Sequence, residues 1–200
     1  MKTRHLFILL FFAVFVLPVK YFSQELRFFR EKIQIEVKKD ECILTGIYYF
    51  ANKSGITASH NLYYPYIVND SLPLPYKAEV KDLKSGNKIA SISTAKGIIF
   101  AVNAASHDTS IVEVKYYQKT PMHMMEYILT TTKEWGTSFD MAEYSVKLPA
   151  GYRLLSMQPQ FENEKKSNKY RTFFTLKRNY LPQHNFVIKW KEDKNEKATR

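Results

Sequence analysis

Residues Glu31–Phe50 read EKIQIEVKKDECILTGIYYF. In the first half, Ile33, Ile35 and Val37 alternate with Lys32, Gln34, Glu36 and Lys38. A period of two places one set of side chains on a core and the other in water, the signature of a half-buried β-strand. From Cys42 to Ala51 the chain is apolar on both sides of the alternation, as a central strand requires.

The same grammar extends outward. NLYYPYIV (61–68) reads as a strand, with Pro65 pointing to an edge or a bulge. YKAEVKDL (76–83), the turn KSGNK (84–88) and IASIST (89–94) read as a hairpin. GIIFAV (97–102) and SIVEVKYYQ (110–118) flank a polar loop. After Pro121 the pattern restarts with MEYILTTT, MAEYSVKLP, YRLLSMQPQ, KYRTFFTLKR and HNFVIKWK, while NEKKSNKYR (163–171) reads as a hairpin tip. Only TTTKEWGTSFDMAEY approaches a helical period, and Gly136 with its Thr and Ser neighbours weakens it.

The expectation is an all-β, antiparallel sandwich of about eleven short strands. A break near Gln118–Pro121 suggests two lobes, residues 24–120 and 121–190, followed by a flexible charged tail at 191–200.

Residues Leu6–Val19 form an unbroken apolar run behind Lys2 and Arg4. The run is shorter than the roughly 20 residues of a membrane-spanning helix and matches the apolar region of a signal peptide. Residues 1–23 are therefore expected to direct export to the periplasm or cell surface. An uncleaved N-terminal anchor is the alternative, and the one route to a membrane. Loss of residues 1–23 would lower the net charge from +11 to +8. Export and the lack of any binding motif argue against nucleic acid as partner. Cys42 is the sole cysteine, so no intramolecular disulfide can form, and it reads as a buried apolar residue.

Gly46-Ile47-Tyr48-Tyr49-Phe50-Ala51-Asn52, then YILTTTKEW (127–135) and AEYSVKLPAGY (142–152), resemble exported bacterial β-sandwich domains of unknown function across residues 30–152. The resemblance implies an envelope location and a sandwich fold. It carries no catalytic residues across.

Chemistry-bearing clusters are sparse. Met122, His123, Met124 and Met125 combine thioethers with an imidazole, a soft set suited to copper(I). Alternation would put Met122 and Met124 on one face and His123 and Met125 on the other, so a third ligand would have to come from His60, His107 or His184. Ser106-His107-Asp108 holds the residue types of a hydrolytic triad, but three consecutive loop residues do not readily meet in triad order. Asp140 and Glu143 fall on opposite faces of a strand, and the scattered glycines form no phosphate-cradling loop. Trp135 and Phe139 in a turn-like segment, with Tyr64 and Tyr66 nearby, are the candidate contacts for a ligand or partner. Asn52-Lys53-Ser54 and Asn69-Asp70-Ser71 fit the glycosylation sequon and suggest exposed loops.

The expected function is a non-catalytic binding or scaffolding module of the cell envelope, needing no cofactor, with another envelope protein or a polysaccharide as partner. The alternatives are a small envelope hydrolase with a site assembled from distant strands, and a copper-binding protein.

Overall fold

The computed structural model describes residues 26–193. The export signal expected in residues 1–23 and residues 194–200 of the charged tail lie outside that range. The described chain is all β, as expected, with sheets that are open and not barrels.

It forms thirteen strands: β1 (Leu26–Val37), β2 (Glu41–Asn52), β3 (Ala58–Pro65), β4 (Lys77–Asp82), β5 (Ser91–Thr94), β6 (Gly97–Ala104), β7 (Thr109–Lys119), β8 (Met124–Tyr127), β9 (Phe139–Pro149), β10 (Tyr152–Gln158), β11 (Asn163–Lys166), β12 (Tyr170–Tyr180) and β13 (Phe186–Glu192). A seven-stranded sheet has the order β11-β12-β9-β1-β2-β7-β4 and takes strands from both sides of Thr120. Two three-stranded sheets, β10-β13-β8 and β3-β6-β5, complete the fold.

The decisive stretch forms β1 and β2. They pair antiparallel, Ile33 opposite Gly46 and Val37 opposite Cys42, and Lys38 N–H donates to the Glu41 carbonyl at 2.8 Å across the turn. β2 is central, with β1 on one side and β7 on the other, and Cys42, Leu44, Gly46, Tyr48, Phe50 and Asn52 all point into the core.

A bulge at Phe29 interrupts β1: Phe28 pairs with Phe50, and Arg30 with Tyr49. The extra residue reverses the alternation. Before it Leu26 and Phe28 face inward, and after it Glu31, Ile33, Ile35 and Val37 do so. A carboxyl group is thereby turned into the core.

Four details depart from the sequence reading. β1 and β9 pair in parallel, an arrangement set by contacts more than a hundred residues apart and invisible to local pattern. The turn after β4 forms as expected: Asp82 Oδ1 accepts from Lys84 N–H, and Gly86 adopts φ +77. The returning chain, however, keeps register only to Ile89 and then leaves to build β5 on β6. The strand expected at MEYILTTT stops at Tyr127, and Thr130–Trp135 is a short 3₁₀ helix closed by Gly136 at φ +66. Lys191 and Glu192, assigned to the tail, belong to β13.

Asn52 also differs from expectation. It is 2 % exposed, and its side-chain amide nitrogen donates to the carbonyls of Ile56, Ala104 and Ala105 at 2.7–3.0 Å. Its oxygen accepts from the Ser54 N–H and hydroxyl at 2.9 and 2.7 Å. The amide is spent on tying β2 to the end of β6, so this sequon is not an exposed acceptor. Asn52→Ala strips a partner from the buried Ala104 carbonyl and from two part-buried ones and should cost about 2–3 kcal/mol, seen as a lower urea midpoint with an unchanged slope.

Candidate functional site

The inner face of β2 is where the three sheets meet. Tyr48 lies on β2, Tyr64 on β3 and Tyr127 on β8, one tyrosine from each sheet. The Tyr48 hydroxyl is hydrogen-bonded to the Tyr64 hydroxyl at 2.8 Å and to the Tyr127 hydroxyl at 2.9 Å. A hydroxyl donates one bond and accepts up to two, so Tyr48 serves both neighbours at once. Burial holds the pKa of all three phenols well above the ordinary tyrosine range, so they stay neutral and keep their protons for bonding.

Gly46 makes this arrangement possible. It sits two residues before Tyr48 on the same face, and the Tyr48 ring lies across it. A Cβ at Gly46 would meet the Tyr48 hydroxyl at 2.0 Å.

Beside the hydroxyls opens a pocket of about 80 Å³ between the small sheets. Phe28, Phe50 and Trp135 build one part of its wall, and Leu62 and Phe100 another. Trp135 rests on Phe28 and Phe50 with ring centroids 5.6 and 5.7 Å away. Tyr63 is exposed and Leu62, Pro65, Ile128, Thr131 and Trp135 are half-buried, so these residues form the open mouth of the pocket. The pocket therefore offers stacked rings backed by neutral hydroxyls, and no charged group lines it.

The candidate contacts divide between pocket and core. Tyr64 and Trp135 line the pocket. Phe139 is fully buried behind it, its ring edge-on to Phe28 at 4.7 Å. Tyr66 is buried against Tyr116 at 4.9 Å. Tyr48, Tyr127, Phe28 and Phe50 also line the pocket, beyond the candidates that the sequence pattern offers. The signal for two of them was the run Gly46-x-Tyr48-x-Phe50-x-Asn52, whose members share one face.

The soft cluster is spread out. Met122 is 66 % exposed and Met125 fully buried. Strict alternation does not hold, because His123 sits in a turn at φ +50 and β8 starts only at Met124. The His123 ring faces Tyr152 and Trp190 at 6.3 and 6.0 Å. Among the described residues no three His, Cys, Asp or Glu side chains converge as a metal site. Ser106 donates to the Ser54 carbonyl, and Asp108 pairs with Lys84. Asp140 and Glu143 pair with Arg27 and Arg30.

One buried acid lies near the tyrosines. Glu31 is 1 % exposed and accepts a hydrogen bond from the Tyr144 hydroxyl at 2.6 Å. Burial raises its pKa to about 8, and the Tyr144 bond offsets this only in part.

No protein-family model and no curated protein matches the sequence. Solved structures do share the fold. A candidate nutrient binding protein of Legionella pneumophila aligns over 84 % of this chain and 67 % of its own, at 14 % identity and a TM-score of 0.69. An M1 zinc metallopeptidase of Deinococcus radiodurans, in a mutant bound to a Tyr-Ser-Ala substrate, aligns over 83 % of this chain at 9 % identity and a TM-score of 0.54. The chain spans only 43 % of that peptidase's length. At these identities the likeness is one of fold. No two of the chain's five histidines lie four residues apart, so these 200 residues do not contain the His-Glu-x-x-His arrangement of helical zinc peptidase sites.

Proposed function

We propose that the chain is a non-catalytic binding module of the cell envelope, and that its ligand inserts a small apolar or aromatic group into the Tyr64–Trp135 pocket. The carrying observation is the pocket itself, with ring faces around it and three neutral hydroxyls beside it. Rings of this kind suit a sugar face or an apolar side chain, and hydroxyls add orientation. The volume sets the size of the group. A buried cavity of about 150 Å³ admits benzene, so this one takes a branched aliphatic tip or the edge of a ring, with the rest of the ligand outside. A similar fold in a candidate nutrient binding protein is in keeping with a binding role. The envelope location rests on the apolar run Leu6–Val19. The partner is thus a peptide segment of an envelope protein or a polysaccharide.

Trp135 provides the test. Trp190, the other tryptophan, is buried and serves as an internal reference. Tripeptides with a central Val, Leu or Phe, and short N-acetylglucosamine oligomers, would be titrated while tryptophan emission is followed. One class should give a saturable change; calorimetry, which does not depend on the reporter, should show that Trp135→Ala abolishes binding and that Thr131→Trp, which fills the mouth, weakens it at least tenfold. Binding that survives both substitutions places the ligand elsewhere and overturns the reading.

A further inference from the structure

A different feature sits at the opposite end of the small sheet. β10 is an edge strand, paired with β13 alone. Alternate backbone N–H and C=O groups of an edge strand point outward without a ladder partner. β10 is seven residues long; the edge β3 has eight, and the edges β4, β5, β8 and β11 have four to six.

Two open clefts, of about 460 and 670 Å³, meet at Ser156, Met157 and Gln160. The first lies between β10 and the β11–β12 side of the large sheet, with Leu155 and Phe161 on its walls, 53 % and 44 % exposed. Leu155 is the extra residue of a bulge, so the strand offers an apolar side chain outward as well as main chain.

The charges beside this edge are mainly basic: Glu164 in the first cleft is held by Arg171, and Glu192 opposite Tyr152 is the one acid of the β10–β13 ladder. Arg153 lies directly opposite Lys191 in the β10–β13 ladder, and Ser156 opposite Lys189. Like charges facing across a ladder are unfavourable. Among the described residues, none of Arg153, Lys189 and Lys191 has an ion-pair partner. The single charged group lining the larger cleft is Lys189.

We propose that β10 and the clefts beside it dock an extended, acidic segment of a partner protein, added as a further strand with apolar side chains in the clefts and carboxylates against Arg153, Lys189 and Lys191. Main-chain pairing supplies the affinity, alternate side chains the selectivity, and the unopposed bases choose the sign of the partner. The site is separate from the aromatic pocket and stands without it.

The probes are fluorescein-labelled (Glu-Val)₄ and (Lys-Val)₄ peptides, read by anisotropy, with amide hydrogen exchange on the full chain. The Glu-Val peptide should bind saturably and slow exchange across residues 152–158. The double variant Arg153→Glu/Lys189→Glu, both sites exposed, should weaken it at least tenfold and favour the Lys-Val peptide. Thr131→Trp, which blocks the aromatic pocket, should leave Glu-Val binding unchanged. Equal affinity for the two peptides, indifference to charge reversal, or protection at another edge overturns the proposal. So does concentration-dependent protection of 152–158 without peptide, which would make a second copy the occupant.

Discussion

Gly46→Ala is expected to cost about 3–4 kcal/mol, although alanine is ordinarily the better strand residue. The reason lies two positions along β2. The Tyr48 ring occupies the space above Gly46, and the new Cβ would fall 2.0 Å from its hydroxyl and 2.4 Å from Cζ. The ring must move, and it cannot move alone, because its hydroxyl holds Tyr64 and Tyr127. Overpacking a core costs about 1–3 kcal/mol, and a buried polar group left unpaired about as much again. Equilibrium urea unfolding should show a lower midpoint. A double-mutant cycle identifies the cause: in a Tyr48→Leu background, where no hydroxyl overlies Gly46, the same alanine should cost less than about 1 kcal/mol. An undiminished cost in that background would show that the penalty comes from elsewhere in β2.

This glycine also shows what could be read from the sequence. Alternation in Glu31–Phe50 was enough to place two adjacent strands and to put Ile33, Ile35 and Val37 on a core. In β2 the run apolar on both sides marked a central strand but did not say which of its residues matter. What its inner face meets was not legible. The pocket is assembled from Phe28, Phe50, Tyr64 and Trp135, which adjoin only once the order of three sheets is known. Local pattern says nothing about the parallel β1–β9 pairing or the departure of β5 to another sheet. It cannot distinguish a tyrosine bonded beneath a pocket from one packed in the core. Tyr64 and Tyr66, two residues apart, were equivalent in sequence, yet only the first lines the cavity. The bulge at Phe29 is a further limit. One extra residue moves every later side chain of β1 to the opposite face, and nothing in Arg27-Phe28-Phe29-Arg30 announces it.

The bulge has an energetic consequence, because it turns Glu31 inward. With its pKa moved from 4.5 to about 8 in the folded protein, this group makes stability depend on pH in a definite direction. Below about pH 4.5 the carboxyl is protonated in folded and unfolded chains alike, and burial carries no ionic penalty. Between about 4.5 and 8 the unfolded chain releases the proton while the folded chain keeps it. The folded state then binds more protons, so stability falls as pH rises. A shift of this size corresponds to about 4–5 kcal/mol at most, lost progressively up to pH 8 and level above it. Ordinary surface carboxylates work the other way: Glu36, Glu41 and Glu164 have pKa values lowered by their partners, so they stabilise as pH rises from the acid side. The two contributions separate in Glu31→Gln, which keeps the shape and an acceptor for Tyr144 and removes the titration. Unfolding free energies measured from pH 5 to pH 9 should fall for the wild-type chain and stay nearly level for the variant, so that the variant is the more stable protein at pH 9 by a few kcal/mol. Parallel curves would mean that Glu31 ionises in the fold at its usual pH and that water reaches it.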